Sequence, residues 1–331
     1  MSTFSSAVCI ATRCSAVVLA IALATTTSAL AGTIAPKNIA RLRSLDGRTL
    51  AVFAPYVSAA DNSFGALTQV GMHAQIDGIT IRSLGYAWAA RGDDRFLDRA
   101  ASRLRSAIGI LTDERNVAPL DPAQLDGLID GYGIVRSSLS ASDRTTIDRA
   151  LAQIGRSIAA TGSGVRDPHR IDLIGRIGLL IDDSTLSGEA LSGFVDFIDS
   201  QLAKDGRTKY AIDRDALDVQ VDEIEPLVNF ALAADRNGRR IFDSANERGA
   251  SLATAVAYLE PYATGRLDHR EYVFSTRPDD ARLRNVTRWE RTKAERLFAL
   301  ASHFDARYDD LRIGFAPIGE SATAILARLD R

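Results

Sequence analysis

Asp205-Gly206-Arg207-Thr208-Lys209-Tyr210-Ala211-Ile212-Asp213-Arg214-Asp215-Ala216-Leu217 is a polar, basic, tyrosine-bearing stretch that leads straight into an apolar run. Behind it Ile224, Leu227, Val228 and Ala231 recur at helical spacing, which predicts the entry into a buried helix. Pro226 falls inside that pattern and should kink the helix or mark its first turn. The segment closes at Tyr258-Leu259-Glu260-Pro261-Tyr262. A second helix start, Asp167-Pro168-His169-Arg170, stands one helical hairpin earlier, with Asp as cap and Pro at the first helical position. The two loops are expected to face one cleft.

Outward from these loops almost every segment carries a helical period. Ile81, Leu84, Ala87 and Trp88 share a face, Arg91-Gly92-Asp93-Asp94 breaks the run, and Phe96, Leu97, Ala100, Leu104 and Ile108 resume it. Asp121-Pro122 repeats the cap-and-proline signature, and Ser140-Ala141-Ser142-Asp143 resembles a capping box. Further helices are expected from Ser187 to Leu202, around Leu252, Val256 and Leu259, and from Arg288 to Phe304. About ten helices in short-turned hairpins can form a solenoid or an α/α toroid. No repeat period in the range of roughly 20–50 residues is visible, which favours the toroid. In that all-α fold the loops at 167–169 and 205–215 would converge on a central groove.

Residues 1–31 read as a secretory signal segment, with one cation at Arg13, an apolar stretch from Cys14 to Leu23 and an Ala29-Leu30-Ala31 cleavage pattern. The alternative is an N-terminal anchor helix, against which Thr25, Thr26, Thr27 and Ser28 interrupt the run. Cleavage would leave one domain, residues 32–331, in the periplasm or secreted, with no further membrane attachment. Both cysteines, Cys9 and Cys14, lie in the removed segment, so the mature chain could form neither a disulfide nor a thiolate zinc site. The 40 basic and 42 acidic residues are interspersed, and no basic tract points to nucleic acid. No cofactor is expected, and the protein should be monomeric. His73, His269 and His303 have no partners at ligand spacing, so no metal site is assigned.

With the helical hairpins in place, the runs Asp205-Gly206, Ala216-Leu217-Asp218-Val219-Gln220 and Glu225-Pro226-Leu227, after Asp167-Pro168-His169-Arg170, resemble the alginate lyases of the α/α-toroid type. Ala255 to Tyr262 also looks like the family's helix-end pattern, and the resemblance spans roughly Ile81 to Tyr308. The resemblance implies β-elimination on an alginate-like acidic polysaccharide. Such chemistry needs a neutralised carboxylate, a base for the C5 proton and an acid for the leaving oxygen. The family uses Tyr for proton transfer, with His, Asn and Arg around it.

His169 stands where the family His stands, while Pro168 replaces an Asn, Val219 the catalytic Tyr and Gln220 the following His. Val has no ionisable group. The remaining catalytic candidates are His169, Tyr210 and Arg214, with Arg214 matching only across a gap. Tyr210 sits among Arg207, Lys209 and Arg214, which would favour its phenolate; the bland reading is a rim aromatic. His169, in a first helical turn, is expected neutral, or else it is a plain surface residue near a cap. Tyr132, in what reads as a Gly131-Tyr132-Gly133 turn, could stack on a sugar, and Arg170, Arg207 and Lys209 could bind its carboxylates.

Asp213, Asp215, Asp218, Asp222, Glu223 and Glu225 form an acidic cluster at odds with a polyanion groove. Solvated carboxylates at a helix start are the simpler reading. The sharper one is a carboxylate-based glycoside hydrolase, needing two carboxylates about 5–10 Å apart. A catalytically silent protein that binds an exopolysaccharide in the same groove is the main alternative to a lyase.

Overall fold

A computed structural model describes residues 36–65, 76–112, 121–161, 167–283, 287–313, 316–317 and 322–329. Residues 1–31, both cysteines and His73 lie outside the described residues. The helices are α1 (Pro36–Arg43), α2 (Gly47–Ala51), α3 (Ala54–Gly65), α4 (Gly78–Arg91), α5 (Asp94–Leu111), α6 (Pro122–Val135) and α7 (Ala141–Thr161). They continue as α8 (Pro168–Leu180), α9 (Ser184–Gln201), α10 (Lys209–Arg214), α11 (Leu217–Arg236), α12 (Leu252–Ala263), α13 (Glu295–Ala301) and α14 (Ala322–Arg328). One two-residue hairpin, Arg312–Ile313 with Ala316–Pro317, is the strand structure among the described residues. None of the described helices is long and apolar enough to cross a membrane.

The helix starts follow one local rule. Asp77, Asp93, Asp121, Asp167 and Asp183 each accept a backbone N–H of the next turn through the side chain, so an aspartate caps helix after helix. Ser140 caps α7 in the expected way, and Ser251 and Thr254 complete a reciprocal capping box on α12. One expectation fails here, and another is narrowed to one of its two alternatives. The period from Arg288 to Phe304 yields only the short α13 behind a 3-10 turn at Arg291–Ala294, because Arg288 is tied to Arg270 in a β-bridge. Pro226 is not in a first turn: α11 runs through it, and the proline withholds the N–H that would bond the Asp222 carbonyl.

The helices form two layers. α4, α6, α8, α11 and α13 pack in succession as an inner ring, with α3, α5, α7, α9 and α12 against their outer faces. The inner helices run parallel. Gly78 of α4 faces the Gln124–Leu128 turn of α6 and Gly85 faces Gly131, while Asp218 and Glu225 of α11 pair in order with Lys293 and Arg296. At Gly127 a Cβ would lie 2.6 Å from the Gly78 backbone, so glycine is what lets α4 and α6 touch. Parallel inner helices place their N-termini at one end, and their positive ends make that end the natural position for an anion. This is an α/α toroid.

The toroid axis is filled with charge. Arg176 of α8 pairs with Asp126 and Asp130 of α6 and with Asp172 one turn back on its own helix at 3.3 Å. Arg82 lies 3.6 Å from Asp126, and Arg296 bonds Glu225 at 2.5 Å. Burial pushes the Asp172 carboxyl up to about 7 against the pull of Arg176, and its Oδ1 has no hydrogen-bond partner among the described residues. A cavity of about 130 Å³ lies beside this ladder. Thr323, Leu326 and Ala327 of α14 close its floor, and Arg41 of α1 holds α14 by donating to the Leu329 carbonyl at 3.0 Å.

Candidate functional site

At the N-terminal end of the ring a cleft of about 350 Å³ is lined by His169, Asp218, Val221, Asp222, Glu225, Pro226 and Lys293. Three elements build it. Asp167 accepts the His169 N–H at 3.0 Å and fixes the first turn of α8, leaving the imidazole exposed. The first turns of α11 present Asp218, Asp222 and Glu225 along one face, as spacings of three and four residues dictate. The 3-10 turn before α13 brings Lys293 onto Asp218.

Two members of the acidic cluster are ion-paired to cations from elsewhere in the chain, and a third is hydrogen-bonded. Lys293 takes Asp218, Arg296 takes Glu225, and the Thr208 hydroxyl donates to Glu223. Asp222 faces the cleft with its carboxyl raised by burial and by Asp218, against which His169 acts. The solvated-helix-start reading therefore holds for only part of the cluster, since Asp218 and Glu225 are ion-paired across to the α13 region.

α11 has no cap of its own at Ala216. Glu271, 0% exposed, reaches in and accepts the N–H groups of Leu217 at 2.9 Å and Asp218 at 3.1 Å. Burial and Asp218 together push its carboxyl up to about 7. Its segment is clamped to the loop before α11. Tyr272 N–H donates to the Asp215 carbonyl at 2.8 Å, Phe274 N–H to the Asp215 carboxylate at 2.8 Å, and Thr276 N–H to the Asp213 carbonyl at 2.9 Å. Asp215 and Tyr272 both hold left-handed backbone, φ 49° and 65°. For a tyrosine that conformation costs on the order of 1–3 kcal/mol.

The two motif positions that depart from the family pattern are both built into packing. Val219 is buried against Ala211 and Ala216, with Tyr272 laid over the three. Gln220, 0% exposed, accepts the Thr208 N–H at 2.8 Å and donates to the Gly206 carbonyl at 2.9 Å, so it pins the 203–208 loop.

The sequence candidates separate. His169 is in the cleft. Tyr210, 37% exposed, is outside its lining and lies between the Arg214 and Arg277 guanidinium groups, 5.6 and 5.0 Å from its ring centre. Arg214 is committed to Asp280 in a two-point ion pair, which raises its own pKa and lowers that of Asp280. Arg207 bonds Asp205 at 2.9 Å, and Lys209 is exposed on the first turn of α10.

Two candidates are corrected. Tyr132 lies within α6, not in a turn; it is 0% exposed and its hydroxyl donates to Asp148 at 2.5 Å, so no sugar can reach it. Arg170 turns inward to the Ile158 carbonyl at 3.0 Å and Glu189 at 2.7 Å, tying α8 to α7 and α9. Of the other histidines, His303 bridges Asp235 and the Ala327 carbonyl, and His269 meets the Asp215 carbonyl at 3.1 Å. Sequence reasoning missed Lys293 and Glu271, whose partners on α11 lie 75 and 53 or 54 residues away.

Known proteins share this architecture. Residues 172–269 match the family model described as alginate lyase. No curated protein sequence matches the chain. Alginate lyase A1-III from Sphingomonas species A1 is similar in structure, with TM-score 0.64 and 15% identity over 90% of this chain and 95% of that one. An alginate lyase from Bacteroides ovatus gives TM-score 0.59 and 10% identity over the same shares. A histidine-to-alanine form of A1-III complexed with a tetrasaccharide gives TM-score 0.61 and 15% identity over the same shares. The chain thus has the α/α-toroid fold of alginate lyases; of the cleft lining, the α11 residues Asp218 to Pro226 fall inside the matched stretch, and His169 and Lys293 fall outside it.

Proposed function

We propose that the chain is an exported polysaccharide lyase that cleaves an alginate-like, uronate-containing polysaccharide by β-elimination. The observation that carries this reading is the position of His169. It stands on the first turn of α8, in a cleft at the common N-terminal end of the inner helices, with Lys293 in the same lining. The imidazole is the group placed to accept the C5 proton. Lys293, which the substrate would share with Asp218, and the positive end of α8 favour the uronate carboxylate, whose neutralisation acidifies that proton. Arg207 and Lys209 on the neighbouring loop are left as substrate contacts for a longer chain. Residues 1–31 are removed on export in this reading, and the mature protein works as a monomer.

A second reading is a silent exopolysaccharide-binding protein. It is favoured by one observation: the side chain at 219 is a valine sealed among Ala211, Ala216 and Tyr272.

Ultraviolet absorbance of the unsaturated uronate decides between them. The protein from Gly32 onward is incubated with a panel of polyuronates. A rise with at least one polymer, lost by about 100-fold or more in His169→Ala, is expected. No rise with any polymer, alongside measurable binding to one, overturns the lyase in favour of the binding protein.

A further inference from the structure

The cavity on the toroid axis shares no lining residue with the cleft. Arg82 of α4, Arg176 of α8, Arg236 of α11 and Arg296 of α13 line it, one from each of four inner helices. Asp130 of α6 is the carboxylate in that lining, and Arg176 already holds it. Arginine stays charged and can only donate hydrogen bonds, so the wall offers many N–H groups and few acceptors. Two donors of the lining lack an acceptor among the described residues. The Arg82 Nε is buried without a hydrogen-bond partner, and the ion pairs of Arg82, 3.6 Å to Asp126 and 3.9 Å to Asp130, exceed hydrogen-bond distance. Tyr86, 5% exposed, packs its ring edge-on against Phe53 and Tyr56, while its hydroxyl has no hydrogen-bond partner among the described residues. Burial and Asp130 hold that phenol above its ordinary range, so it stands as a donor. A buried donor without an acceptor is costly, and a bound acceptor removes the cost.

We propose that the axial cavity binds one small oxyanion of the phosphate or sulfate class, held by Arg82, Arg236, Arg296 and the Tyr86 hydroxyl. Arg176 is committed to its three carboxylates and supplies charge from behind. The planar guanidinium fork matches the paired oxygens of such an ion, a match that chloride does not offer. At about 130 Å³ the cavity exceeds the share of a single water, about 30 Å³, and leaves room for a compact polyatomic ion. The raised carboxyl of Asp172, at about 7, means that the surrounding network carries less negative charge near neutral pH than its carboxylates would suggest. Thr323, Leu326 and Ala327 of α14 form the floor, so an ion bound above them stabilises the closed toroid by mass action.

Inorganic phosphate is the probe. The protein from Gly32 onward, dialysed free of phosphate and sulfate, is titrated by calorimetry and melted in rising phosphate, with sodium chloride at equal ionic strength as the reference. One site with Kd below about 1 mM is expected, and Tm should rise by about 3 °C or more and then level off. Arg82→Gln and Tyr86→Phe should each weaken binding by about 10-fold or more, since each removes a donor to a charged acceptor. Tyr86→Phe keeps the ring packing and so reads the site even where Arg82→Gln fails to fold. Arg240→Gln, on a side chain 82% exposed and outside the lining, should leave binding unchanged. A Tm that climbs without levelling, alike in parent and variants, would be general salt exclusion and would overturn the site. Saturable binding that survives Arg82→Gln and Tyr86→Phe but disappears in Lys293→Gln would put the ion in the cleft and overturn it as well. Absence of binding to the parent protein would overturn it outright.

Discussion

At the scale of single residues, Gln220 and Arg170 show how packing reassigns polar side chains. Gln220 stands where the alginate-lyase pattern carries a histidine, yet it is wholly inside and holds a loop by its backbone. Gln220→Ala should lower stability by about 2–3 kcal/mol, since the Thr208 N–H and the Gly206 carbonyl lose their partners in a buried setting. Urea unfolding checks it, and an unchanged midpoint would show that water replaces the amide. His169 was legible from Asp167-Pro168 alone, because a cap and a proline fix the first turn and so fix the exposure of the residue behind them. Arg170 and Tyr132 were not legible. Whether a residue of a helix points to the groove or to the outer layer depends on which neighbour packs where, and linear spacing does not contain that.

Elements are where the sequence spoke most clearly and where one cap escaped it. The repeated aspartate caps and the 3.6-residue periods located α4 to α9 to within a few residues. α11 lacks such a signal at Ala216 because its cap, Glu271, comes from the far side of α12. That borrowed cap has a pH signature. The folded pKa of Glu271, about 7, lies above its ordinary value of 4.5, so the folded state holds the proton more tightly than the unfolded one. The group's contribution to stability is fully present below about 4.5 and is lost as pH rises through 7. Glu271→Gln keeps an oxygen for the two N–H groups and removes the titration. Thermal melts across pH 4.5 to 8 should therefore decline less in the variant than in the parent, and parallel curves would show that Glu271 titrates alike in both states.

For the whole molecule, the ion ladder on the toroid axis is the dominant unusual feature. Asp126, Asp130, Asp172 and Arg176 sit at spacings of four residues on otherwise apolar helix faces, a pattern visible in the sequence but meaningful only once the helices are known to run parallel. Arg176 alone holds three carboxylates. Arg176→Met should cost about 3–5 kcal/mol, because it leaves Asp172 without its cation and Asp126 and Asp130 with the more distant Arg82 and Arg296. Calorimetry checks this, and a variant as stable as the parent would mean that the carboxylates protonate at no cost. The toroid itself could be argued from short turns and the lack of a repeat period, but the floor could not, since nothing in the sequence of 322–329 announces which hole it fills.

That floor sets an order of events during synthesis. α14 is the last described helix to leave the ribosome, and until it docks against α13 and meets Arg41 of α1 the axis of the toroid is open to water at its lower end. The part of the charged ladder that faces the axial cavity therefore stays open to water until the last described helix is in place. Arg82, Asp130, Arg176 and Arg296, which line the cavity that α14 covers, reach their final surroundings only when this closing piece docks, a late step of maturation.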